Sequence, residues 1–307
     1  MTVEATTMML TGITTLLAGI ALAGPRLRAA SGTERILLLG PICYAAALAT
    51  FAAEHFTAAS DLAPIVPKWL PDPLFWTYFV GTCWLLAAIS FVLWRQVRWS
   101  AALTAALLLT IVATIDLPNL PHHLHERLFW TLTVRETSFA AGAMVLAGSV
   151  LRRGCPTGIA LVRIGRAIVG SVMVFYAIEH FLFPLFVPGV PLEKHMPAWL
   201  PAPALLSYVV GIVLLLGGLG LFIRPIIRIA AASAGMMLVL LTAFFYVPIF
   251  VMEMRTPLAV EGLNYIFDTL LFAGTVLLAG LGTDQRRLVH DEVQEPRLVA
   301  AERVACR

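Results

Sequence analysis

The chain has 307 residues, 60% of them hydrophobic and only 13% charged, with a mean hydropathy of +0.88. A soluble domain carries roughly 25% charged residues, so this composition excludes a soluble enzyme and points to an integral membrane protein. The net charge of +3 comes from basic residues spread along loops rather than clustered, which gives no footprint for nucleic acid.

Nine apolar spans are expected in chain order, at about 6–25, 36–56, 73–94, 99–117, 134–151, 162–183, 203–223, 226–250 and 262–282. They are continuous, which favours helices over the short alternating strands of a barrel. The first could pass for a signal segment, but Met1 to Thr7 holds Glu4 and no Lys or Arg, so it reads as a retained helix. The fifth, sixth and ninth spans each include a charged residue, Glu136, Glu179 and Asp268. Residues 284–307 are polar and read as a cytoplasmic tail.

Lys and Arg alternate along the chain. Arg26, Arg28 and Arg35, then Arg95 and Arg98, then Arg152, Arg153, Arg163 and Arg166, then Arg224 and Arg228, occupy every second loop, and the tail is also basic. By the positive-inside rule the N-terminus is expected outside and the C-terminus in the cytoplasm of a multi-pass cell-membrane protein. Cys43, Cys83, Cys155 and Cys306 lack any CxxC spacing and are read as free thiols.

One phrase occurs twice. Glu54-His55-Phe56, Pro67-Lys68-Trp69-Leu70-Pro71-Asp72-Pro73 and Tyr78-Phe79-Val80-Gly81 return as Glu179-His180-Phe181, Pro197-Ala198-Trp199-Leu200-Pro201-Ala202-Pro203 and Tyr208-Val209-Val210-Gly211. Further matches align Glu136 with Asp268 and Pro118 with Pro248. The expected fold is therefore all-α: a polytopic helical bundle of about nine transmembrane helices. It comprises an added N-terminal helix (1–30) and two four-helix units in tandem (31–155 and 156–283). Each unit has an even number of spans, so both insert the same way round, related by a pseudo-two-fold axis along the membrane normal.

The ionisable residues fall into one layer near the outer helix ends: Glu54, His55, Asp116, Arg135, Glu136, Glu179, His180 and Asp268. Such groups in spans are costly, usually face the bundle interior and mark a path or site. The two Glu-His pairs are the candidate catalytic groups, because a carboxyl beside an imidazole can exchange protons with a bound redox molecule. The competing reading is a polar plug at a helix end. Trp69, Tyr78, Trp199 and Tyr208, with Asp116, Arg135, Glu136 and Asp268, are candidate ligand contacts. The proline-rich turns cannot be helical, and their Trp rings either anchor at the headgroup level or wall the site. Pro121-His122-His123-Leu124-His125-Glu126 matches no standard metal site, so no metal is assigned and copper is disfavoured. Haem ligation by His55 and His180 is disfavoured too, since nothing marks a haem pocket.

The Glu-His-Phe helix end, Val66-Pro67-Lys68-Trp69-Leu70-Pro71-Asp72-Pro73, Leu117-Pro118-Asn119-Leu120 and Trp130-Thr131-Leu132-Thr133-Val134-Arg135-Glu136 resemble the DoxX family. DoxX-like proteins are four-helix membrane proteins, and residues 36–283 resemble two of them fused. The resemblance implies a redox setting: a quinone-reducing membrane subunit or a partner of thiol and oxidative-stress systems. It implies Glu54, His55, Trp69, Glu136, Glu179, His180, Trp199 and Asp268 as the functional set. The expected function is binding of a quinone-like or other small redox-active molecule in an outward-facing polar pocket, assisting membrane redox chemistry, with the first unit favoured. The partners are then the lipid bilayer, that small hydrophobic molecule and a soluble redox protein. The alternatives are a non-catalytic small-solute carrier and a membrane scaffold for that redox protein.

Overall fold

A computed structural model describes residues 1–151, 155–190 and 193–282. The tail at 284–307 lies outside the described residues. Among those described, the chain is built of helices and their connections, with one isolated β-bridge between Phe186 and His195. The long helices are α1 (Val3–Ala29), α2 (Gly40–Thr57), α3 (Pro73–Leu93), α4 (Val97–Ile111), α5 (Arg127–Ser149), α6 (Pro156–Leu182), α7 (Pro203–Gly220), α8 (Ile227–Leu241) and α9 (Ala259–Leu281). Local chemistry sets their starts. The Thr2 hydroxyl accepts from the Ala5 amide to open α1, and the Asp72 carboxylate accepts from Phe75 to open α3. Pro73, Pro156 and Pro203 sit at first helical positions, where a missing N–H costs nothing.

Among the described residues, eight helices are long and apolar enough to cross a membrane, so the protein is a multi-pass membrane protein. The remaining expected span, α5, is 23 residues long and outside those eight. It opens seven residues earlier than the apolar pattern indicates and carries Arg127, Arg135 and Glu136. Its position explains this. It is surrounded by α4, α6 and α9, so it needs no apolar face toward lipid.

The duplication is visible in the elements themselves. The α4 and α8 helices each run into a π-helical turn, Val112–Asp116 and Thr242–Tyr246, displaced by 130 residues. Pro118 and Pro248 follow directly. A proline lacks the N–H for an i−4 bond and its ring crowds that carbonyl, so the helix widens just before it. The N-caps Asp72 and Ala202 both have φ 51°. A Cβ on Gly81 would lie 2.6 Å from the His55 Cβ, and one on Gly211 would lie 3.1 Å from the His180 Cβ.

The two units interlock rather than stand apart. Neighbouring helices pack in a closed circuit from α2 through α9, and α9 returns to α2, with α5 crossing α9 in the middle. The first helix of each unit therefore packs on the last helix of the other. Lipid offers no hydrophobic drive between helices, so close backbone approach and dispersion must hold them. Small residues supply it: a Cβ on Gly142 would meet Thr275 at 2.9 Å, and one on Gly274 would meet the Gly40 carbonyl at 2.9 Å. The Tyr44 hydroxyl donates to the Phe139 carbonyl at 2.8 Å, pinning α2 to α5. The α1 helix lies outside the circuit, against α2.

Cys43 and Cys83 are free, as expected, but Cys155 is disulfide-bonded, which corrects the free-thiol expectation for that residue. Cys306 lies outside the described residues.

Candidate functional site

Alternating helix directions bring the C-terminal ends of α2 and α6, the N-terminal ends of α5 and α9 and the two π turns to one end of the bundle. At its centre, where α5 crosses α9, sits Arg135. Its Nη1 donates to Asp268 Oδ2 at 2.7 Å and its Nη2 to Glu136 Oε1 at 2.9 Å. The guanidinium thus bridges the last helices of both units, and its side chain is 17% exposed. Two carboxylates flank one cation in low dielectric, where removing the cation leaves both carboxylates uncompensated. Glu54 and Asp116 also lie within electrostatic reach of Arg135.

Each Glu of the repeated motif is completed by the other unit. Asn264 on α9 donates from Nδ2 to Glu54 Oε1 at 2.9 Å. Thr131 on α5 donates to Glu179 with both carboxylate oxygens at 3.1 Å, and Arg127 approaches Glu179 Oε1 at 3.7 Å. Arg127 also lies over the rings of Phe186, at 4.3 Å, and Phe183, at 5.3 Å. Asn264, Thr131 and Arg127 are contacts that sequence reading missed. Asn264 and Arg127 carry no local motif and Thr131 is only one residue of a longer one; they become partners because the last helices exchange between units.

The two histidines behave differently. His180 is 1% exposed; its Nδ1 faces the Tyr176 carbonyl at 2.5 Å and its Nε2 accepts from the Gly189 amide at 2.9 Å. A carbonyl on one side and an N–H on the other require the neutral ring with its proton on Nδ1. Both nitrogens are taken up by contacts within the second unit. His55 is half-buried, and its Nδ1 donates to the Phe51 carbonyl at 2.7 Å. Glu54, Asp116 and Glu136 are half-buried as well, whereas Glu179 and Asp268 are buried. The Asp116 Oδ2 is shielded and meets no protein donor among the described residues.

The aromatic candidates do not join this cluster. Trp69 is 69% exposed and Trp199 is 47% exposed. Tyr78 stacks on Phe56 at 6.2 Å between centroids, and Tyr208 tilts toward Phe181 at 6.5 Å. Their rings lie on the outside of the bundle end. In the turn after the first π segment, His123 binds Glu126 at 2.7 Å and stacks on Phe129 at 3.8 Å. Among the described residues, no three His, Cys, Asp or Glu side chains are grouped to hold a metal ion.

A family model described as a domain of unknown function (DUF8561) matches residues 44–148, from the start of α2 to the end of α5. The matched stretch holds Glu54, His55, Asp116, Arg135 and Glu136. No curated protein and no solved structure matches the chain.

Proposed function

We propose that this membrane protein binds a small lipid-soluble, redox-active molecule of the quinone class at the polar cluster around Arg135 and exchanges protons with it. The observation that carries the reading is that cluster itself: an Arg bridging Asp268 and Glu136 between the two units, with half-buried Glu54 and Asp116 within its electrostatic reach. Ionisable groups of this number at one end of an apolar bundle are costly to keep unless they act. Reduction of a quinone consumes protons as well as electrons, and carboxyl and imidazole groups supply the first. A soluble redox partner supplies the second. The DoxX-like motifs support the same setting. The Lys and Arg asymmetry of the loops supports an orientation with the N-terminus and this polar end outside a cell membrane and the C-terminus in the cytoplasm.

The test is direct. The protein is purified in detergent and its lipids are extracted and chromatographed. A bound prenylquinone is expected, largely lost in the Glu54→Gln, His55→Ala double variant at unchanged folding. Wild-type protein free of quinone, and unable to take up decylubiquinone, would refute the reading.

A further inference from the structure

The duplication brings two equivalent places to the polar end, and the chain treats them in opposite ways. In the second unit the connection between its first two helices, 183–202, is five residues longer than the first unit's, 58–72. The extra length turns inward. Val187, Pro188, Gly189 and Val190 are all buried, and the turn is fastened on two sides. The Gly189 amide donates to His180, and the Tyr246 hydroxyl, at the end of the second π turn, donates to the Pro188 carbonyl. Gly189 has φ +101°, a conformation glycine adopts readily. A Cβ there would lie 3.0 Å from Leu241 and 3.4 Å from the Thr269 methyl, so the turn sits between the end of α8 and α9.

The first unit holds nothing comparable. Its connection packs back on α2 and α3 as the short helix Ala59–Leu62, and Ser60, Asp61, Pro64 and Ile65 are exposed. The position of Tyr246 is taken by Asp116, whose Oδ2 lacks a protein donor among the described residues. Where the second unit satisfies its π-turn residue with its own chain, the first leaves a shielded acceptor.

We infer that the protein has one open site and one sealed copy. The first unit, at Asp116, receives a ligand that presents an O–H or N–H donor, and the turn at 186–190 fills the matching place in the second. This rests on the proposed binding function and assigns it to one unit and to a donor-bearing ligand, such as the reduced, hydroxyl form of a quinone.

Thr137 and Thr269 are equivalent residues, half-buried and buried respectively, so each can report on its own unit. Thr137→Cys and Thr269→Cys are labelled in the full chain with a charged, water-soluble maleimide, and modification above the parent protein is measured. The Thr137→Cys thiol is expected to react at least roughly tenfold faster, since exposure controls thiol reactivity. Adding Tyr246→Phe to Thr269→Cys should raise labelling there by loosening the turn. Equal rates at the two positions, or no reaction at either, overturn the inference whether or not the protein binds quinone. In a parallel measurement, decylubiquinol binding is expected to fall in Asp116→Asn and to persist in Tyr246→Phe. Loss in Tyr246→Phe with retention in Asp116→Asn would place the ligand in the second unit. If wild-type protein binds neither the oxidised nor the reduced quinone, the functional reading falls, and the labelling result still decides between open and sealed.

Discussion

The first and second units repeat the same Glu-His-Phe helix end, the same proline-rich turn, the same π turn and the same glycine beneath the histidine. Yet Glu179 is held by Thr131 and approached by Arg127, and His180 has both ring nitrogens occupied, whereas Glu54 has Asn264 and stays half-buried. For the histidines the difference originates in the neighbouring connection, not in the motif. Five added residues give the second unit a turn that dips into the bundle end and supplies the amide that His180 accepts. A buried imidazole with two fixed partners is a cross-link; the same residue beside an exposed connection carries one fixed contact, to the Phe51 carbonyl. The comparison teaches that a duplicated polar motif keeps its helix-end position in both copies while the surrounding chain decides how far each copy is covered.

The largest effect is expected at the residue both units share. Arg135→Met leaves Asp268 and Glu136 without their cation and should destabilise the fold by roughly 3–5 kcal/mol, as loss of one partner of a buried ion pair does. Adding Asp268→Leu should recover part of that loss, because it removes the more deeply buried of the two orphaned carboxylates and leaves Glu136. Thermal unfolding in detergent reads both, and a double variant no more stable than the single one would show that the cluster is not coupled. The comparison itself is broken or sharpened by the histidines. His180→Leu leaves the Gly189 amide buried without an acceptor, which should cost about 1–3 kcal/mol. His55→Leu should cost distinctly less, since no connection depends on it. Equal losses would mean that the two units are structurally equivalent after all. Next in size is Tyr246→Phe, which removes one hydrogen bond to the sealing turn and should cost about 1 kcal/mol. Amide hydrogen exchange at Gly189 should then speed up while exchange in α2 stays as it was.

Much of the frame was legible in the sequence. Spans came from apolar runs, the two units from the repeated phrase, and the common layer of ionisable groups from span direction. What stayed hidden was set by tertiary contact. Thr131 and Asn264 look like ordinary polar residues in helices. They acquire roles because α5 and α9 each pack against the first helix of the other unit. The start of α5 at Arg127 was hidden because polar residues at its beginning broke the apolar pattern, although its burial between helices tolerates them. Trp69 and Trp199 were legible as turn residues, but which way their rings faced depended on the packing of the bundle end. The longer second connection was visible as spacing between His180 and Trp199; that it turns inward onto His180 was not.

The smallest effect tests how the sealing turn is held from outside. Lys194 lies 2.9 Å from Glu253 Oε1 and 3.1 Å from Glu261 Oε1, joining the second connection to the helical segment after the π turn and to the first turn of α9. The Glu261 side chain is 46% exposed, so solvent and salt screen this part of the contact. The Glu261 share of a Lys194→Gln loss should therefore be no more than about 1 kcal/mol, and that share should shrink further as salt is raised. His180 and Tyr246 hold the turn from within by bonds that salt does not screen. Their variants should keep their full penalty at high salt. A Lys194→Gln penalty as large as that of His180→Leu, and equally insensitive to salt, would mean that the turn is held by its outer charges rather than by the buried histidine, and the contrast between the two units would then rest on Lys194, which the first unit lacks at this place.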